Sequence, residues 1–181
     1  TCARTIANPA TGTTALTKSG SNTWSFTGSM THTGTTSLTA GVMDMGSTNR
    51  SLSGGLSVSG GTLQNSTNTV AANTTMTGGT ITAELTGANT LTVNSGSAAT
   101  LNPTNNANSF SGNTTISAGG VLRLITGANP TTAGAGKVLG TSNVTVSGDL
   151  KTSASGLQRG QMRYGGNLTF NSGAKLYVGL A

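Results

Sequence analysis

Acidic residues are nearly missing from this chain. Three of them, Asp44, Glu84 and Asp149, stand against nine Lys and Arg in 181 residues, and charged residues make up only 7%. Ordinary soluble domains carry roughly 25%. One histidine, His32, excludes any triad or metal cluster that needs two imidazoles, and one cysteine, Cys2, excludes an internal disulfide framework. Aromatics amount to 3%, too few to stack successive bases, so nucleic acid is not an expected partner. No run approaches the roughly 18 apolar residues of a membrane helix, and membrane insertion by this segment is not expected. The opening TCARTIANPATG does not read as a signal peptide. Because the chain is expected to be a segment of a longer secreted protein or a matured subunit, this does not argue for the cytoplasm. Apolar residues at i, i+3, i+4 and i+7 are also missing, which removes helix from the expected fold.

Glycine, with 28 residues, and abundant Thr, Ser and Asn fill the space. Polar low-complexity chains can stay disordered, because they bury too little to offset the entropy of ordering. Disorder does not, however, account for aliphatic residues set at alternate positions again and again. In Asn108–Ile125, NSFSGNTTISAGGVLRLI, Ile116 precedes an Ala-Gly-Gly turn and Leu122 and Leu124 alternate with Arg123. That period of two marks strands with one buried face.

The same phrase recurs as SLTAGVMDM, LSVSGGTLQN, TTMTGGTITAEL, TLTVNSGSAATL, VTVSGDLKT and LTFNSGAKLYV. The apolar residue before each turn is Leu38, Val58, Met76, Val93, Ile116, Val146 and Phe170, at spacings of 20, 18, 17, 23, 30 and 24 residues. Such repeats of short strands and glycine turns are the signature of a solenoid. Stacked at about 4.8 Å, the coils pair their backbones above and below. Leu38, Val58, Met76, Val93, Ile116, Leu122, Leu124, Val146 and Phe170 are expected as its core column. The expectation is one all-β domain over 1–181, a parallel β-helix of about seven or eight coils and about 35–40 Å long. The long steps place loops at Asn102–Asn108 and Pro130–Gly136. A β-sandwich or barrel, with longer strands and larger core residues, is the competing all-β reading.

ALTKSGSNTWSFTGSMTHTGTTSLTAGVMDMG (Ala15–Gly46) resembles the autotransporter-associated β-strand repeat, and NSFSGNTTISAGGVLRLI resembles a second copy. The likeness is carried by Leu16–Gly20, Thr23–Gly28, Gly34–Thr36 and Ala40–Gly41, and again by Phe110–Gly112 and Ala118–Gly119. His32 or Thr33 stands where the family has an aromatic, Val42-Met43-Asp44-Met45 replaces its usual ending, and Gly120 is extra. The resemblance covers about a third of the chain. It implies a right-handed parallel β-helix in a long exported protein of a bacterial surface, acting as stalk, fibre or adhesive passenger, with no shared catalytic residues.

Function is therefore expected to be structural: a secreted or surface-anchored segment of a longer chain, or a filament subunit, that continues end to end with flanking repeats or another copy. The alternative is an adhesin or carbohydrate-binding module for surface glycans. No cofactor, metal or catalytic residue is expected. The sharpest enzymatic idea pairs Asp44 with Glu84, two coils and about 9.6 Å apart, near the separation of an inverting glycosidase pair. Asp149 is read at a turn. An ice-binding Thr face needs ordered ranks, and TTM, LTV, TTI and VTV mix sizes. Arg159 and Arg163, the only local pair of bases, read as solvated edge charges or as a weak attraction to anionic envelope polysaccharide or lipid. Six Asn-X-Ser/Thr sequons, including Asn49, Asn73 and Asn143, are attributed to composition.

Overall fold

The structure is a computed structural model that describes residues 1–46, 49–64, 69–103, 108–126, 139–141, 143–154 and 165–178. Every regular element among them is a β-strand, and every pairing between named strands is parallel. Parallel strands three residues long cannot pair with their sequence neighbours, so each pairs with its counterpart one coil on. The chain is a β-solenoid.

Sheet I stacks Leu16–Lys18, Thr36–Leu38, Leu56–Val58, Thr74–Met76, Leu91–Val93, Thr114–Ile116, Val144–Val146 and Leu168–Phe170. Sheet II stacks Thr23–Ser25, Val42–Asp44, Thr62–Gln64, Thr80–Ile81, Ala99–Leu101, Val121–Thr126, Asp149–Ala154 and Lys175–Val178. Sheet III is shorter, with Arg50–Ser51, Thr69–Ala71 and Glu84–Thr86. Before the first rung, Cys2 and Ile6 bridge in parallel to Phe26 and Met30, so the opening residues lie along the first coil.

Register in sheet I runs Lys18, Leu38, Val58, Met76, Val93, Ile116, Val146, Phe170. The seven residues that precede the repeated turns thus sit directly over one another. Leu38 through Val146 are buried. Phe170, expected in the column, is 39% exposed, because no described strand covers that side of its rung. Leu122 and Leu124 are buried too, but in sheet II. The core is accordingly not one column: Met43, Leu63, Ile81, Leu101 and Leu124 form a second, in register, against the first. The interior buries these aliphatics almost completely, at about 25 cal/mol per Å² of apolar surface removed from water.

A second inward position of sheet I alternates size: Leu16, Thr36, Leu56, Thr74, Leu91, Thr114. A buried hydroxyl needs a partner. Thr74 Oγ1 donates to the Ala72 carbonyl at 3.1 Å, and Thr36 Oγ1 lies 2.8 Å from His32 Nε2.

The turn from sheet I to sheet II requires glycine for two reasons. Gly41 and Gly61 have φ of 71° and 72°, the left-handed region. A Cβ on Gly41 would collide with the carbonyl oxygen of Gly20, and one on Gly61 with that of Gly41. Stacked turns leave no room for a side chain between rungs. The loops expected at Asn102–Asn108 and Pro130–Gly136 fall largely on 104–107 and 127–138, outside the described residues.

Candidate functional site

Two cations that look solvated in the sequence are interior. Lys18 occupies the column position of Leu38 and is fully buried. Its Nζ donates to the carbonyls of Ser19 (2.9 Å), Gly20 (2.6 Å) and Ala40 (3.1 Å), the full donor capacity of an ammonium, and lies 5.6 Å from the Trp24 ring centroid. Arg50 donates from Nε to Met45 (2.8 Å) and from its terminal nitrogens to Gly28 (2.6 Å) and Phe26 (2.9 Å), again all carbonyls. Burial pulls its pKa below the usual value, and an Arg so placed still stays charged. Both side chains tie a turn on one coil to the next coil. Their work is stapling, and the signal that could have found Lys18 is its column position in LTKSG, whereas Arg50 carries none.

His32 is likewise interior. Its Nδ1 has no hydrogen-bond partner among the described residues, and burial alone lowers its pKa from 6.5. Asparagine side chains serve a related purpose at corners. The Oδ1 atoms of Asn8, Asn49, Asn73, Asn108 and Asn143 accept from the backbone N–H of Thr33, Thr69, Thr90, Leu85 and Asn167. The carboxamide stands in for a peptide group where regular pairing stops. Three of the sequon asparagines, Asn49, Asn73 and Asn143, are among these ladder members.

The carboxylates do not assemble. Asp44 lies in sheet II, stacked between Ser25 and Gln64, and its Oδ1 accepts from Gly46 N at 3.0 Å. Glu84 lies in sheet III beside Thr69. The expected stack of Asp44 and Glu84 is not formed, since counting coils does not reveal which sheet a strand joins. Asp149 opens a strand, between Val121 and Lys175, and is not in a turn. No group of three or more His, Cys, Asp or Glu close enough to hold a metal ion occurs among the described residues, nor is any helix long and apolar enough to cross a membrane.

The outer faces are what the fold offers. On sheet I the middle residue of each strand points outward: Thr17, Ser37, Ser57, Thr75, Thr92, Thr115, Thr145, Thr169. Beside it runs Ser19, Thr39, Ser59, Thr77, Asn94, Ser117, Ser147, Asn171, joined along the ladder by bonds such as Asn171 Nδ2 to Ser147 Oγ at 2.8 Å. The mixed sizes in TTM, LTV, TTI and VTV belong to the inward neighbours, so the outward ranks are regular after all. Sheet II differs. Its outward rank reads Thr23, Val42, Thr62, Thr80, Thr100, Arg123, Lys151, Tyr177.

At the first coil, Cys2, Ile6, Leu16, Trp24 and Phe26 line an apolar hollow of about 370 Å³. At the far end Phe170, Leu176, Tyr177 and Val178 are exposed. Phe26 and Phe110 are buried corner fillers, whereas Trp24 is exposed and meets Phe26 edge-on at 6.3 Å. Tyr164, Arg159 and Arg163 lie outside the described residues. Comparison with family models, with curated proteins and with solved structures finds no match.

Proposed function

We propose that this chain is a structural β-solenoid segment of an exported bacterial surface or matrix protein, a stalk or fibre element that extends end to end. The observation that carries the reading is the state of the two ends. Among the described residues, Leu16–Lys18 and Leu168–Phe170 each pair on one side only within sheet I, and Lys175–Val178 does so in sheet II. Beyond Thr23–Ser25 lies only the opening segment, whose Cys2 N–H donates to the Ser25 carbonyl at 2.6 Å. Unpaired edges of the same parallel sheets are complementary to each other, and a further coil of this chain or of another copy would satisfy both. Apolar Phe170, Leu176 and Val178 occupy inward positions at that exposed rung. A count of seven to eight coils is part of this proposal, and the likeness to autotransporter repeats favours a right-handed winding and an extracellular setting. Flanking reading-frame sequence is the direct test: further coils with an export signal or surface anchor are expected, and a frame that encodes none of these overturns the stalk. For self-association, electron microscopy over a concentration series should show filaments, and dispersed monomers throughout would refute it.

A second reading, an adhesive or carbohydrate-binding module, is favoured by the two uncharged hydroxyl and amide ranks of sheet I. Replacing Thr75, Thr92 and Thr115 by Val keeps their shape and removes their hydroxyls. Loss of binding on a glycan array would support this reading, and unchanged binding or none in either protein would remove it. An ice-growth assay on the same pair assigns the face to ice if only the parent slows growth.

A further inference from the structure

We propose that the outer face of sheet II over its last three described strands binds a linear acidic polysaccharide, one bearing carboxylate or sulfate groups along its length. Register stacks Arg123, Lys151 and Tyr177 in one outward rank and Val121, Asp149 and Lys175 in the rank beside it. Arg123, Lys175 and Tyr177 are exposed, and Lys151 is half-buried.

Folding does not ask for this arrangement. Like charges on directly neighbouring strands repel, and Arg123 sits one rung from Lys151. Asp149 relieves part of the excess through an ion pair with Lys151 at 3.7 Å, the one ion pair among the described residues. Three cations against one carboxylate leave the patch positive. Earlier in the rank, Thr62, Thr80 and Thr100 carry no charge, so the cations are concentrated and not spread along the rod.

The chemistry of the partner follows from shape and spacing. The cations follow one another from strand to strand on one sheet face, about 4.8 Å from rung to rung, which suits an extended polyanion lying across the stacked strands. Tyr177 adds an aromatic surface against which a sugar ring can pack, already held by Lys151 Nζ 4.7 Å from its centroid. A single-stranded nucleic acid would need a ring for each successive base, and this face has one. A lipid surface would need several apolar anchors projecting from the same outer face as the bases. Val121 and Tyr177 are the ones in these two ranks, because the exposed Leu176 and Val178 stand at inward positions.

The experiment measures binding of the whole chain to polygalacturonate, with uncharged dextran, phosphatidylglycerol vesicles and single-stranded DNA as parallel probes. Binding to polygalacturonate but not dextran is expected, weakening as salt screens the contacts. Arg123→Gln with Lys151→Gln should weaken it roughly tenfold, the scale of losing contacts between exposed opposite charges. Arg4→Gln, which removes an exposed charge elsewhere, should change it less than about twofold. Equal loss from Arg4→Gln, absence of polygalacturonate binding, or stronger binding to vesicles or DNA would each overturn the proposal. Circular dichroism identical to the parent confirms that the variants fold. The site stands apart from the end-to-end reading: filaments without polysaccharide binding refute the site alone, and binding by a strict monomer refutes the filament alone.

Discussion

On sheet I the outward residue at the centre of every strand is Ser or Thr, from Thr17 to Thr169. On sheet II the matching rank passes from Thr23 through Val42 and three threonines to Arg123, Lys151 and Tyr177. Both sheets are built from the same coils, and both bury aliphatic columns on their inner sides. Inward positions are therefore dictated by stacking, which demands shape and apolarity at every rung. Outward positions are constrained much less, so their chemistry can be even on one face and polarised on the other.

The sharpest way to break that comparison is to cut into the interior on either sheet. Ile116→Ala in sheet I and Leu101→Ala in sheet II should each cost about 2–5 kcal/mol, while Thr115→Ala, the outward neighbour of Ile116, should stay within about 0.5 kcal/mol. Urea unfolding followed by far-ultraviolet circular dichroism measures all three, and a Thr115 effect as large as that of Ile116 would contradict the inward-outward assignment. The turn joining the two sheets comes next. Gly41→Val combines a left-handed φ with a collision against the carbonyl of Gly20, and a loss of about 1–3 kcal/mol is expected. A neutral substitution would mean that neighbouring coils can move apart.

A smaller effect separates the sheets by pH. His32 supports Thr36, an inward residue of sheet I, and burial lowers its pKa from 6.5. The unfolded chain binds this proton first, so stability is full above pH 6.5, falls as pH drops through it, and levels off below the lowered folded value. Comparing urea midpoints across that window for the parent and His32→Gln tests it: the variant should lose this part of the slope. The smallest effect concerns the charged face. Arg123→Thr relieves repulsion with Lys151 and should stabilise by about 0.2–1 kcal/mol at low salt. The gain should vanish in high salt, and a loss at low salt would show that Arg123 is held by a favourable contact.

The repeated phrase made the register of sheet I legible in the chain itself. Leu38, Val58, Met76, Val93, Ile116 and Val146 were identifiable because an apolar residue before a glycine turn recurs at every coil. Phe170 follows the same pattern and lies outside the shielded interior, since burial also depends on what covers a rung. The staples were barely legible. Lys18 differs from a surface base only by standing at a column position before a Ser-Gly turn, and Arg50 is distinguished only by the carbonyls that converge on it. Sheet III was missed for a related reason: its strands are as short as those of sheet I but do not share the repeated apolar residue before a glycine turn.

The sequence by itself determined that the chain is all-β, that it repeats, and that its aliphatic residues stack, because alternation and glycine spacing are local properties of the chain. Tertiary structure alone decided which strand joins which sheet. That allocation separates Asp44 from Glu84, sends Lys18 inward, lines up the hydroxyl ranks of sheet I and gathers Arg123, Lys151, Lys175 and Tyr177. Coils of unequal length bring together residues at no constant separation in the chain, so a neighbour one rung away can be 17 or 30 positions distant. Only the hydrogen-bonded ladder brings them side by side.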